Sequence, residues 1–395
     1  MKRRNFLKST AVASTSLMMP AFLKGISTGR LWNSRSGKIL VVIQLSGGND
    51  GLNTVIPYSN DIYYNLRPTL AIPKNEVLGL SDNLGLHPAL SPLRSLYDAG
   101  DLSIVNSVGY PNPDRSHFRS MDIWQTASGS DEYLQTGWLG RYLDSDCLEK
   151  PAYHALEVDE GLSLAMKGAI KTGFAMADAK RMRQSTNNDF LEMVGEKAHP
   201  TADNISYLYK TLTDTQHSAD YLFEKSKVHR SKVEYPNSKF AKDLKQISEL
   251  ITADTATQIY YVSLGGFDTH AGQKNKQQRL LKQYAEAVKA FTDDLKSNGL
   301  FDDTLVMTFS EFGRRVKQNA SGGTDHGTAN NVFLMSGNLK KAGFYNASPN
   351  LQKLDNNDLI YEVDFREIYA TVLDNWLNAD AAKILNGQFS KLRFV

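Results

Sequence analysis

The chain has 395 residues, enough for one large α/β domain or two ordinary ones, and either would bury a core large enough to carry a cleft. At 41% hydrophobic and 22% charged it matches ordinary globular chains, which excludes a disordered or coiled-coil protein. The formal charge is +2, but residues 1–27 hold five basic residues and no acid, so their removal takes it to −3. A slightly acidic remainder has no electrostatic footprint for nucleic acid.

That opening segment reads as an address rather than a fold element: a basic start is followed by a short, mildly apolar stretch, Ala11 to Leu23. Arg3 and Arg4, with Phe6, Leu7 and Lys8 behind them, form the pattern of a twin-arginine export signal, with cleavage expected between Ala21 and Thr28. The stretch is shorter than the roughly 20 apolar residues that cross a bilayer, and Pro20 interrupts it, so no stable membrane span is expected after processing. The predicted destination is the periplasm or the exterior, with the twin-arginine machinery as a partner. Cys147 is the one cysteine, which excludes an internal disulfide and a thiolate metal cluster.

After a linker at 28–37, "KILVVIQL" (38–45) is a continuous β-branched run, the pattern of a strand buried on both faces. Residues 101–109, 258–266, 303–310 and 331–337 repeat it. Between two of these runs, Leu281, Tyr284, Val288, Phe291 and Leu295 fall at helical intervals, predicting a crossover helix over 275–297. Strand, long helix, strand predicts an α/β fold, a doubly wound and mostly parallel sheet with helices on both faces. Residues 159–236 depart from this grammar and read as a mainly helical insertion, either a cap shaping substrate access or a solvated excursion. Near the end Asp364 and Glu367 have the spacing of a capping box, followed by the apolar face Phe365, Ile368, Val372 and Trp376.

In such sheets functional groups sit on loops beyond the carboxyl ends of strands. "SGGNDGLNT" follows the first run with Asn49 and Asp50, and "GGFDTHAGQ" follows the third with Asp268 and His270. "SEFGRR" follows the fourth with Glu311 and Arg314, and "GGTDHGT" precedes the last with Asp325 and His326. Carboxylates with imidazoles suit zinc, manganese or iron, and carboxylates with few histidines also suit magnesium or calcium. Asp50 and Asp325 equally suit Asx turns, and the histidines could be ordinary loop residues. In "YPNPDRSHFRSMDIWQTAS" (110–128), Ser116 stands where a helix should start, with Arg115, His117 and Arg119 as nearby donors. There it is either a nucleophile beside helix-terminal amides or simply an N-cap.

The order of these loops resembles the alkaline phosphatase superfamily, and more closely its exported, sulfatase-like branch, domain of unknown function family 1501. The resemblance runs from Lys38 to the C-terminus. It implies a single alkaline phosphatase-like domain over 38–395 and a hydrolase of phosphate or sulfate esters, carried by small molecules or glycans. It implies one or two divalent ions, zinc first, with magnesium, manganese or calcium as alternatives. By that analogy Asp50, Asp268, His270, Glu311, Asp325 and His326 are the metal ligands, Asp325 joining or orienting His326. Ser116 is the nucleophile, Arg119 and Arg314 are anion clamps, and Asn49 and His117 bind substrate. Glu311-Phe312 stands where relatives carry Asp-His, so one ligand is lost there. The alternative reading is a noncatalytic exported protein of the same fold that binds a glycan or a partner protein. A metal-free serine hydrolase with His117 as base is disfavoured, because adjacent side chains on a helix diverge.

Overall fold

The computed structural model describes residues 37–186 and 204–395; the export segment, the linker up to residue 36 and residues 187–203 of the insertion lie outside the described residues. The strands of the central sheet are β1 (Ile39–Leu45), β2 (Leu102–Gly109), β3 (Ala155–Glu157), β4 (Phe174–Ala175), β5 (Ile259–Leu264), β6 (Thr304–Phe309), β7 (Asn330–Met335), β8 (Gly343–Phe344) and β9 (Val363–Asp364). The helices discussed below are α1 (Asp61–Leu66), α2 (Ser91–Asp98), α3 (His117–Thr126), α4 (Trp138–Asp146), α5 (Ala179–Thr186), α6 (Asn204–Lys225), α7 (Lys239–Thr252), α8 (Gln273–Ser297) and α9 (Phe365–Thr371).

Among the described residues the sheet has nine strands in the order β8-β2-β7-β6-β1-β5-β3-β4, with β9 also paired to β2. β1 runs parallel to β5 and β6, and only β7 is antiparallel to its neighbours β6 and β2. The run 331–337 therefore folds as a strand, but in the opposite sense to the other long strands.

Alternation along β1 divides the core. Ile39, Val41, Ile43 and Leu45 pack with residues of α2, α7 and α8, while Leu40 and Val42 pack with residues of α3, α4 and α9. The predicted stripe on α8 is buried along its whole length. Gly100, at φ +79°, ends α2, and the amides of Gly100 and Asp101 bond back to the carbonyls of Tyr97 and Leu96. The capping box also forms: Asp364 accepts from the Arg366 amide at 3.0 Å, and Glu367 accepts from the Asp364 amide.

The insertion is less helical than its composition predicts. Before α5 it folds into a short 3-10 turn, Leu164–Met166, and the edge strand β4, which pairs with β3. Leu222 of α6 enters the core on one side of the sheet, so this part is built into the fold and is not a detached excursion.

Candidate metal centre

β1, β5 and β6 run parallel, so their carboxyl ends share one edge of the sheet. Because β7 is antiparallel, the segment 310–329 leaves that edge at β6 and returns to it at β7. Asp325 and His326 are thereby brought back to the loops after β1 and β5. Glycine makes the close approach possible: Gly47 holds φ +115°, and a Cβ there would collide with the Asp268 backbone nitrogen.

Four side chains converge at this edge. The facing donor atoms of His117, Asp268 and His326 lie within 4.8 Å of one another. Asp268 Oδ1 is 3.1 Å from His270 Nε2 and 3.5 Å from both His117 Nε2 and His326 Nε2. His270 Nε2 and His326 Nε2 stand 2.9 Å apart.

Each imidazole is held from behind through Nδ1. His117 Nδ1 faces Glu311 Oε1 at 3.0 Å, His270 Nδ1 faces Asp325 Oδ1 at 3.1 Å, and His326 Nδ1 faces the Arg115 carbonyl at 2.6 Å. A carbonyl or carboxylate oxygen can only accept, so each Nδ1 carries a proton, which leaves Nε2 as the atom able to face a metal ion. At 2.9 Å the two Nε2 atoms need a proton or a metal ion between them. His117 Nε2 is buried and makes no hydrogen bond within the protein.

This donor set fits a metal ion. Around a tetrahedral zinc with bonds of about 2.0–2.1 Å, neighbouring ligand atoms stand about 3.3 Å apart, close to the separations around Asp268. Three imidazole nitrogens with one carboxylate suit zinc, manganese or iron better than calcium or magnesium, which prefer all-oxygen shells. Carboxylates behind ligating histidines also raise their basicity.

Burial, hydrogen bonds and neighbouring charges shift the groups of this cluster in different directions. For Asp268, burial pushes the carboxyl up, but the Arg314 hydrogen bond and charge, with His117 and His270, outweigh it and bring the value down to about 2. The Glu311 hydrogen bond raises His117 against its partial burial. Burial lowers His326, and hydrogen bonds from Asn319 and His270 lower Asp325.

Several expected roles are redistributed. Asp268, His270 and His326, expected as metal ligands, lie together, and His117, read from sequence as a substrate contact, lies with them. Glu311 and Asp325 stand behind histidines, and Asp325 orients His270, not His326. Glu311 also accepts from the Gly47 amide at 2.8 Å.

Asp50 is elsewhere. It is 1% exposed and pairs with Arg67 Nη1 at 2.6 Å, while Gln273 Nε2 donates to it at 2.5 Å. Arg67, the residue after α1, also donates to the carbonyls of Val316 and Arg315, tying the first loop to the 310–329 segment. Asp50 is therefore taken up by Arg67 and Gln273, and it is not among the residues grouped with His117, Asp268 and His326. Asn49 is buried too: its amide donates to Ser310 Oγ and its side chain bonds Thr54, so it faces no substrate.

Neither expected arginine is placed as an anion clamp. Arg314 is 2% exposed and donates to the carbonyls of Gly47, Gly48, Phe267 and Thr324 as well as to Asp268. Its guanidinium sets the loops rather than an incoming anion. Arg119 donates to the carbonyls of Gly129, Ser130 and Glu132 under the Tyr133 ring.

Ser116 occupies the N-cap position of α3 and is exposed, but its hydroxyl makes no capping bond. Phe312 is a wall: its ring lies 4.8 Å from His117 and 4.7 Å from His326. Sequence reasoning passed over Arg67 and Gln273. The signal available for His117 as a ligand was its place at a helix start just beyond a strand end; for Arg67 there was none.

The sequence matches the family described as "Protein of unknown function (DUF1501)" over residues 102–387. No curated protein matches it. Among solved structures it is similar to the phosphonate monoester hydrolase SpPMH from Silicibacter pomeroyi, at 12% identity and TM-score 0.38, covering 91% of this chain and 76% of that one. It is similar to the PsFucS1 sulfatase from Pseudoalteromonas sp., at 11% identity and TM-score 0.39, covering 94% and 72%. It is also similar to the lipoteichoic acid synthase LtaP from Listeria monocytogenes, at 11% identity and TM-score 0.33, covering 79% and 71%.

Proposed function

The chain belongs to the DUF1501 family, and we propose that it is an exported, metal-dependent hydrolase of phosphate or sulfate esters. The observation that carries this reading is the convergence of three histidine Nε2 atoms on Asp268 Oδ1, each ring fixed from behind by an oxygen acceptor. In this reading one divalent ion is held by His117, Asp268 and His326, with His270 beside Asp268 and His326 as a further donor, and imidazole nitrogens with a carboxylate suit zinc.

When bound, the ion supplies a Lewis acid that polarises a phosphoryl or sulfuryl oxygen. The chain does the rest. Glu311, Asp325 and the Arg115 carbonyl hold the three imidazoles in the tautomer that faces the ion. Arg314 fixes the Asp268 carboxylate and the glycine loop over it. Ser116, exposed and free of a capping bond, is the nucleophile in this reading. It stands one residue before His117 and one after Arg115, whose carbonyl touches His326. The N-terminus of the ten-residue α3 beside it favours a developing anion.

Export is supported by Arg3 and Arg4 with Phe6 and Leu7 after them. Among the described residues no helix is long and apolar enough to cross a membrane. The substrates are small-molecule or glycan-borne esters, and the twin-arginine machinery is the partner in transit.

The test pairs metal content with turnover. Protein recovered from the exported fraction without chelator should hold about one ion per chain, and His326→Ala should hold none. Metal-loaded wild type should hydrolyse members of an aryl phosphate and aryl sulfate panel, and Ser116→Ala should not. If wild type and Ser116→Ala are equally inert on both panels, the hydrolase reading fails.

A further inference from the structure

Beside the metal-ligating cluster lies a cavity of about 130 Å³ that none of the assignments above uses. Gly109, at the end of β2, and Ala329, just before β7, lie in its lining, so it opens at the same sheet edge as the cluster, over the neighbouring strands. Phe312 is shared: one side of its environment is the His117 and His326 rings, and the ring also lines the cavity. Ligands of open α/β sheets bind along this edge.

Size and lining restrict the occupant. In volume it is close to a cavity of about 150 Å³ that accepts one benzene ring, and its lining mixes apolar side chains with Asn112, Asp114, Thr328 and Asp355. Tyr110, Trp124, Phe312, Leu359 and Tyr361 give it flat apolar walls. Its only ionisable acids are Asp114 and Asp355, and no lysine or arginine lines it, so it rejects an anionic head group. One polar feature stands out. Trp124 is 2% exposed and stacked against Phe309 and Phe365, yet its Nε1–H meets no acceptor within the protein.

We infer that this cavity binds the neutral, ring-bearing alcohol portion of an ester whose anionic head lies at the metal-ligating cluster. The substrate class is thereby narrowed to esters of alcohols carrying one flat ring near the ester oxygen. The inference rests on the hydrolase reading, and its test keeps the two apart.

Phenol is the first probe, a single ring with an oxygen acceptor, titrated against the metal-stripped full-length protein by ligand-observed NMR. A saturable site with a Kd of about 1 mM is expected, given the affinity a ligand of seven heavy atoms commonly reaches. Ile360→Trp, at a lining residue 38% exposed, should fill the mouth and weaken phenol at least tenfold. Phenol that fails to saturate, or that binds wild type and Ile360→Trp alike, overturns the inference.

The second arm uses benzyl and ethyl phosphate, or the matching sulfates, whose leaving groups have similar basicity. Ile360→Trp should raise KM about tenfold for the benzyl ester and leave the ethyl ester unchanged; equal changes for both overturn the assignment. A protein that binds phenol and hydrolyses neither ester overturns the hydrolase reading and, with it, the alcohol-portion assignment.

Discussion

Glu311 is fully buried, and its Oε1 is shared between His117 Nδ1 and the Gly47 amide. The residue type was right for a metal ligand, but the oxygen reaches the back of a histidine instead of the ion. Such orienting carboxylates typically matter by a factor of about 10–100 in metal affinity. Glu311→Gln should therefore weaken zinc by that factor in a chelator competition while the far-ultraviolet circular dichroism stays unchanged. An unaltered affinity would contradict the orienting role. Asp50 makes the opposite prediction. Removing it leaves Arg67 buried and uncompensated, a loss of about 3–5 kcal/mol. Asp50→Ala should show that loss in denaturant unfolding with EDTA present, where a lost metal ligand would cost little. If the variant keeps its stability and loses zinc, Asp50 is a ligand after all.

At the scale of elements, β3 carries a titration that the sheet imposes. Glu157 ends this short strand, 4% exposed, with its carboxylate accepting from the Ser163 amide at 2.7 Å. Burial pushes its carboxyl up from 4.5 to about 7, against the opposing Ser163 hydrogen bonds. The folded chain thus holds a proton that the unfolded chain releases above 4.5, so this group's contribution is full below 4.5 and declines as pH rises to about 7. The decline amounts to at most roughly 3 kcal/mol. Glu157→Gln should flatten that part of the stability–pH curve, measured as urea midpoints from pH 4.5 to 8. A wild-type minus variant difference that does not move over this range would refute the buried, protonated state. The antiparallel β7 has a larger consequence: it returns His326 to the edge where Asp268 and His270 stand.

At the scale of the whole molecule, an ion held as proposed, by residues from two loops and a helix start, would couple segments distant in sequence. His117, Asp268 and His326 come together only in the folded chain, so the ion stabilises folded over unfolded protein. At 100 times its Kd it adds about 2.7 kcal/mol, which for a domain of this length is a rise of about 3–4 °C in Tm. Adding zinc to chelator-treated wild type should give that rise, and adding it to His326→Ala should give none. Equal rises in both proteins would place the ion somewhere else.

The sequence by itself determined the layered α/β architecture, because long β-branched runs and a 3.6-residue stripe have few ways to bury their apolar atoms. It also determined that Asp268, His270 and His326 lie at strand ends, and that Asp364 starts a helix, since those signals are local. It carried no mark of which carboxylate faces the histidines: Asp268 meets three imidazoles beside Arg314, whereas Asp50 meets Arg67 and Gln273. Asp50 and Asp268 stand in similar glycine-rich loops, and only the tertiary structure sets Arg67 against one and three imidazoles against the other. The reason is physical: the sense of β7 and the placing of Arg67 follow from packing between segments hundreds of residues apart, and a ligand is defined by where its lone pair points.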